Sequence, residues 1–469
     1  MNDASIQTSV AIAGGGLAGL AAACALADSG FRVTLFERRP YLGGRASSYE
    51  HPGTNEVVDN CQHVLFRVCT NLVEFYRRIG VEDKIRWYDT MTFIEPGGRA
   101  SVMSASTLPA PLHTAPSFLR FPFLEVADKL AISRAIAALT LTKQSETGKS
   151  FLDWCARHGQ TRNAMERFWK PILVSALSED LDLISVSYAA QVVRESMKSP
   201  EARHMGVPTI PLTELYNKAG DYIRARRGEI RFRAPVDRIC LDDAWVGVHS
   251  GGKEEQFDYF IAALPFEALE RVLPETGDAS SLREKLAHFE YAPITGIHLW
   301  FDREISDLDH AVLLERTIQW MFHKSRLLAV RASNPDRGSY VEFVVSASKS
   351  LIEKSRGEIV DLALKECREF FPRAREANLV KSTVVKEVRA TFSPRPGIDA
   401  YRPKQSTVWP RVFLAGDWTA TGWPATMEGA VRSGYLAAEE VIRAATGKNK
   451  SVLVPDLEPG VLLRLLSYS

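Results

Sequence analysis

The chain has almost no net charge: 58 Lys and Arg stand against 57 Asp and Glu, leaving +1 over 469 residues. Such balance gives no overall attraction to a polyanion, so no nucleic-acid partner is expected. It lacks any C-x-x-C pair: Cys24, Cys61, Cys69, Cys155, Cys240 and Cys367 are scattered, and no Cys/His group stands at metal-ligand spacing. No metal site is therefore expected, and the thiols read as reduced, in a cytoplasmic protein. No run approaches the ~20 apolar residues of a membrane span. The residues ahead of Val10 are short and polar, so no export signal is expected either. Internal repeats and low-complexity tracts are also missing. G-x-G-x-x-G occurs once, which leaves room for one dinucleotide rather than two.

That single occurrence is well placed. Val10-Ala-Ile-Ala13 reads as a buried parallel strand, Gly14, Gly16 and Gly19 supply the glycine pattern, and Leu20 to Ala27 reads as a small-residue helix. Val33-Thr-Leu-Phe36 is a second strand ending at Glu37, about 20 residues past Gly16, where a carboxylate can bind ribose hydroxyls. Glycines let backbone N–H groups approach a pyrophosphate, and the helix start at Leu17 and Ala18 adds a favourable dipole. The expected fold class is α/β of the Rossmann type.

Further nucleotide-domain signals lie far along the chain. Ile230–Phe232, Val236–Cys240, Trp245–His249 and Phe260–Leu264 read as strands, with a turn at Ser250-Gly-Gly252. Val412-Phe-Leu-Ala-Gly-Asp417 is again strand then turn, followed by a helix from about Thr426 to Ala445. Residues 100–209 read as mostly helical, with 123–141 and 161–177 the clearer helices. Strand-like runs recur over 290–392, at Thr295–Phe301, Gln319–Phe322 and Tyr340–Ser346.

Arg38-Arg-Pro-Tyr-Leu-Gly-Gly-Arg45, with Phe413-Leu-Ala-Gly-Asp417 and Trp423-Pro-Ala-Thr-Met-Glu-Gly-Ala430, resembles the flavoprotein family that includes amine oxidases, protoporphyrinogen oxidase and phytoene desaturases. The resemblance implies FAD, held non-covalently because no cysteine follows Cys367. It implies a glutathione-reductase-like FAD-binding domain (1–90, 210–275 and 405–445) with an inserted α+β substrate domain (91–209 and 276–404). Residues 446–469 form a tail. Cofactor contacts are then expected from Gly14, Gly16, Leu17, Ala18, Gly19, Glu37, Arg38, Gly44, Arg45, Gln62, Val236, Gly416 and Asp417. Thr426 and Met427 would present a helix N-terminus to the flavin N1–C2=O edge, which stabilises charge there on reduction.

Other blocks are more specific. Val57-Val-Asp-Asn-Cys-Gln-His63, Leu108-Pro-Ala-Pro-Leu-His113, Glu166-Arg-Phe-Trp-Lys-Pro171, Tyr401-Arg-Pro403 and Gly416-Asp-Trp-Thr-Ala-Thr-Gly-Trp423 resemble the hydroxysqualene dehydroxylases of squalene and hopanoid biosynthesis. One departure is Cys61, where Gly is expected. The resemblance implies a long isoprenoid alcohol as substrate and reduced FAD as hydride donor, fed by a separate electron donor that the sequence does not name. Loss of hydroxide needs a proton donor. His63 is the first candidate, and Asp59 is the alternative acid or its orienting partner. Trp169, Trp418 and Trp423 are candidate pocket walls. An apolar substrate also implies peripheral contact with the inner face of the cytoplasmic membrane, through 118–141 or the tail Gly460–Leu466. An oxidative isoprenoid desaturase of the phytoene type, an amine-oxidase-like enzyme and a catalytically silent flavin-binding scaffold are the competing readings.

Overall fold

The computed structural model describes residues 7–141, 148–274, 277–328, 338–460 and 463–464. The apolar run before the glycines is the strand Ser9–Ala13, buried at every position. It is the centre of a five-stranded parallel sheet in the order Glu229–Phe232, Arg32–Glu37, Ser9–Ala13, Tyr259–Ala262, Val412–Leu414. The central strands are covered on both faces, which is why they read as unbroken apolar runs. One cover is the helix Leu17–Asp28, buried from Leu17 to Ala27. Its alanines let the helix Met427–Thr446 approach closely: a Cβ on Gly434 would lie 2.2 Å from the Ala18 carbonyl oxygen. Three antiparallel strands, Val236–Leu241, Val246–Ser250 and Lys253–Phe257, form a meander between two strands of the parallel sheet.

The second large element is a seven-stranded sheet, ordered Leu379–Phe392, Tyr291–Phe301, Ser339–Ser346, Trp320–Phe322, His310–Leu313, Thr90–Ile94, Ala100–Ser104. Its pairings are antiparallel except between His310–Leu313 and Thr90–Ile94. The strand Ser339–Ser346 is buried throughout, so its apolar pattern does not reveal which side is which. Period-2 geometry separates them. Val341, Phe343 and Val345 pack with Ile297, Leu299 and Phe301 under the helix Arg356–Phe370. Tyr340, Glu342 and Val344 lie on the other face, in register with Trp300, His298, Trp320 and Phe322.

Between these sheets the region read as mostly helical contains the helices Val126–Leu141, Phe151–Arg157, Lys170–Leu177 and Val186–Met197. It opens with the strand Ala100–Ser104 and closes with Met205–Pro208, which the helical reading missed. A π-helical turn, Met165–Trp169, interrupts the expected helix 161–177. The architecture is a Rossmann-type α/β domain with an α+β region inserted into it.

Candidate functional site

The glycine loop is a cradle from which side chains are excluded by space. A Cβ on Gly19 would lie 1.9 Å from the Gly14 carbonyl oxygen, and one on Gly44 would lie 2.9 Å from Gly16 Cα. Gly14 itself has φ +108°, a conformation few other residues adopt. Gly16 leads into the helix Leu17–Asp28 with no side-chain cap and no acid in its first turn, leaving the N–H groups of Leu17, Ala18 and Gly19 open to an anion. Glu37 is buried, with Oε2 accepting from Gly15 N–H and Oε1 from Arg39 N–H, both at 2.7 Å. Arg38, an expected cofactor contact, is exposed beside the cradle, and the neighbouring Arg39 donates to the Gly44 carbonyl at 2.9 Å. Ala234 N–H donates to the Glu37 carbonyl, bringing Val236 to the same edge.

The closing motif completes the cradle from the other end of the chain. Gly416 N–H donates to Ser433 Oγ at 2.8 Å, and Asp417 Oδ1 pairs with the Arg45 guanidinium. Two expected cofactor residues, 372 positions apart, thus meet directly. Arg402, not singled out from the sequence, is the organiser of this loop. Its buried guanidinium donates to the carbonyls of Asp417 and Thr419, to Thr421 Oγ1 and to Tyr188 Oη. Thr426 caps the helix Met427–Thr446 through Gly429 N–H, while Glu428 turns away to accept from Asn71 and Leu72 N–H at the start of the helix Thr70–Arg78.

Beside the cradle the segment Asp59–His63 meets the seven-stranded sheet in a buried ionic cluster. Lys324 Nζ lies 2.6 Å from Asp59 Oδ2, 2.8 Å from Gln62 Oε1 and 3.5 Å from Glu342 Oε2. Gln62 N–H donates to Glu342 Oε1 at 2.5 Å, and Gln62 Nε2 donates to the His63 carbonyl. Asp59 Oδ1 accepts from Ser48 Oγ and Leu212 N–H. Burial opposes the charge of Asp59, but Lys324 and these donors outweigh it and hold the carboxyl below the usual range. Burial pushes Glu342 up to about 7, an effect Lys324 reduces without cancelling. Burial also lowers Lys324, yet Asp59 and Glu342 keep its ammonium protonated. His298 shares the sheet face, its Nδ1 2.8 Å from Tyr340 Oη, and burial drives it down to about 3, so it is neutral.

This geometry bears on the expected roles. Asp59 is paired with Lys324, which favours its carboxylate form. It does not orient His63: His63 Nδ1 lies 2.7 Å from the Cys61 carbonyl, which can only accept, so Nδ1 holds the hydrogen. Burial lowers the His63 value, leaving a neutral ring whose Nε2 accepts. Cys61 does not adopt a positive φ, so the turn does not require the glycine expected there. Trp169 and Trp418 belong to one large apolar core, and Trp423 to a separate small cluster. Trp169 donates to Gln160 Oε1 and packs against Phe151; Trp418 donates to the Leu264 carbonyl and packs against Phe289; Trp423 sits with Val68 and Ala202. Lys324 and Glu342 were missed. The available signal was one acid inside the apolar run Tyr340–Val345, since an isolated buried acid needs a partner.

The chain matches the family described as flavin containing amine oxidoreductase over residues 17–442. It is 27% identical to the 15-cis-phytoene desaturase of Synechococcus elongatus, covering 92% of this chain and 95% of that protein. It is also 27% identical to a probable zeta-carotene desaturase of the same organism, covering 93% and 98%. Among solved structures, putrescine oxidase bound to putrescine superposes with a TM-score of 0.72 at 16% identity, over 93% of this chain and 99% of that one. Cyclohexylamine oxidase from Brevibacterium oxydans gives 0.66 at 18%, over 94% and 99%. The side-chain-free cradle, the uncapped helix start and the Arg45–Asp417 closure fit a dinucleotide, and the cofactor is FAD. The chain belongs to the flavin containing amine oxidoreductase family.

Proposed function

We propose that this flavoenzyme acts on a long isoprenoid, and that its reaction is the reductive dehydroxylation of hydroxysqualene to squalene. The observation that carries the reading is the surrounding of the ionic cluster. Trp320, Phe322 and Val344 share its sheet face and belong to one apolar core with Cys61 and with Phe93, Phe121 and Phe168 of the neighbouring region. Charges embedded in aromatic surface suit a substrate that is hydrocarbon apart from one reacting group. The carotenoid-desaturase relatives support the isoprenoid class, and the blocks around Gln62–His63 and Trp418–Trp423 support the dehydroxylase.

The glycine cradle, Glu37, Arg45, Gln62, Val236, Asp417 and the Thr426–Met427 helix start would hold FAD, with its binding non-covalent. Reduced FAD supplies hydride. The chain's own groups must supply the proton: an allylic alcohol takes up one proton and one hydride, its C–O bond breaks, and water leaves. Glu342 is the group of the cluster that keeps a proton near neutrality, and we assign it the proton-donor role for which His63 was the first candidate. Lys324 and Asp59 hold the Gln62–His63 segment in place, and His63 presents Nε2 as an acceptor. The aromatic face keeps water from the allylic cation.

Entry from a lipid surface fits the exposed apolar residues Leu119, Val126 and Leu130 at 61%, 73% and 59%, flanked by Arg120, Lys129 and Arg134. Among the described residues no helix is long and apolar enough to cross a membrane. The tail candidate Gly460–Leu466 lies largely outside the described residues. Oxidative desaturation is the second reading, favoured by the desaturases among the relatives. Anaerobic mixing of photoreduced enzyme with hydroxysqualene tests both: flavin reoxidation with squalene formed supports dehydroxylation. Turnover only of oxidised enzyme with phytoene would replace it with desaturation.

A further inference from the structure

The three-stranded meander carries a group of side chains that the flavin chemistry does not use. Cys240, His249 and Glu254 come from its three successive strands, and their donor atoms all lie within 4.8 Å of one another. The register explains why. His249 pairs directly with Glu254 across one ladder, and Cys240 stands opposite Gly247 across the other, so all three project from one face. Gly247 clears the space between them: a Cβ there would lie 2.7 Å from Glu254 Oε1, 2.9 Å from the Trp245 ring and 3.4 Å from Cys240 Cβ. His249 Nε2 is the hub, 3.2 Å from Cys240 Sγ and 3.0 Å from Glu254 Oε2. Ligands around a tetrahedral zinc ion stand about 3.3–3.6 Å apart, so movements of a few tenths of an ångström would suffice. Arg238, opposite His249 in the register, is exposed and keeps access to solvent.

We propose that Cys240, His249 and Glu254 bind a divalent zinc-type cation, with solvent completing a fourth position. Thiolate, imidazole and carboxylate together favour zinc or cobalt over magnesium or calcium, which take oxygen ligands. Each strand of the meander contributes one ligand, so the ion would fasten the sheet that follows the Glu37 edge of the cradle. The absence of motif spacing in the sequence is no objection, because the ligands are neighbours across strands rather than along a helix or knuckle.

The test uses the full-length FAD-loaded protein, stripped of metal with a chelator and titrated with cobalt(II). One equivalent should produce a thiolate-to-cobalt charge-transfer band in the difference spectrum, with tetrahedral d–d bands, all displaced by zinc(II). Cys240→Ser should abolish the band, and Glu254→Gln, at an exposed position, should weaken cobalt binding by more than about 10-fold. The flavin spectrum and far-UV circular dichroism verify folding in each variant. Cobalt binding without the thiolate band, a band surviving Cys240→Ser, or equal affinity in Glu254→Gln would overturn the proposal.

Discussion

The glycine cradle and the Asp59–Lys324–Glu342 cluster prepare for charge by opposite means. The cradle removes side chains so that fixed backbone dipoles face an anion; most of its polar groups come from main chain, and Glu37 also fastens the loop. The cluster instead buries three ionisable side chains, with Lys324 2% exposed, Glu342 0% and Asp59 5%, and lets them satisfy one another. A cradle of this kind fails by steric intrusion, whereas a cluster of this kind fails by losing one partner and stranding the others.

The sharpest way to break the contrast is Gly19→Val. With Gly14 O only 1.9 Å from the added Cβ, the variant should purify colourless and take up no FAD on reconstitution, read by visible absorbance. Next is Lys324→Met, which leaves Asp59 and Glu342 buried without their cation. Urea unfolding should show a loss of about 3–5 kcal/mol, and adding Asp59→Asn should restore part of it, while flavin content changes less than in Gly19→Val. Third is Glu342→Gln. Because folding raises the Glu342 value from its ordinary 4.5 to about 7, its stability contribution is full below the ordinary value and fades as pH climbs through 7. Thermal melts should therefore show a decline from pH 5 to 8 in the native chain that flattens in Glu342→Gln. Turnover that depends on the Glu342 proton should fall above pH 7 in the native chain and be lost in the variant. The smallest effect is Thr426→Ala, which removes a cap from the closing helix and should cost about 1 kcal/mol in the same unfolding assay.

The two regions also differ in what a reader of the sequence can see. Gly14, Gly16, Gly19 and Glu37 are set by constraints acting over one strand, turn and helix, so their spacing survives in the linear text. Gly434 obeys the same logic against Ala18, but its partner is remote and it went unnoticed. The cluster depends wholly on remote pairings: Lys324 lies 265 residues from Asp59, and nothing near it marks it as buried. His63 stood out as a titratable residue in a suggestive loop. Only the Cys61 carbonyl beside Nδ1 shows which proton it holds. The same holds for Cys240, His249 and Glu254, whose proximity is created by strand register. Arg402 lies in the segment Tyr401-Arg-Pro403, yet its several acceptors belong to a loop whose shape depends on remote packing.

The pairing of Arg45 with Asp417 has a consequence for how the protein is made. A growing polypeptide displays its first strand, glycine turn and helix early, but the carboxylate that meets Arg45 is translated hundreds of codons later. Stable capture of the yellow prosthetic group must then wait until residue 417 has been made, and ribosome-stalled or truncated products ending before it should stay pale.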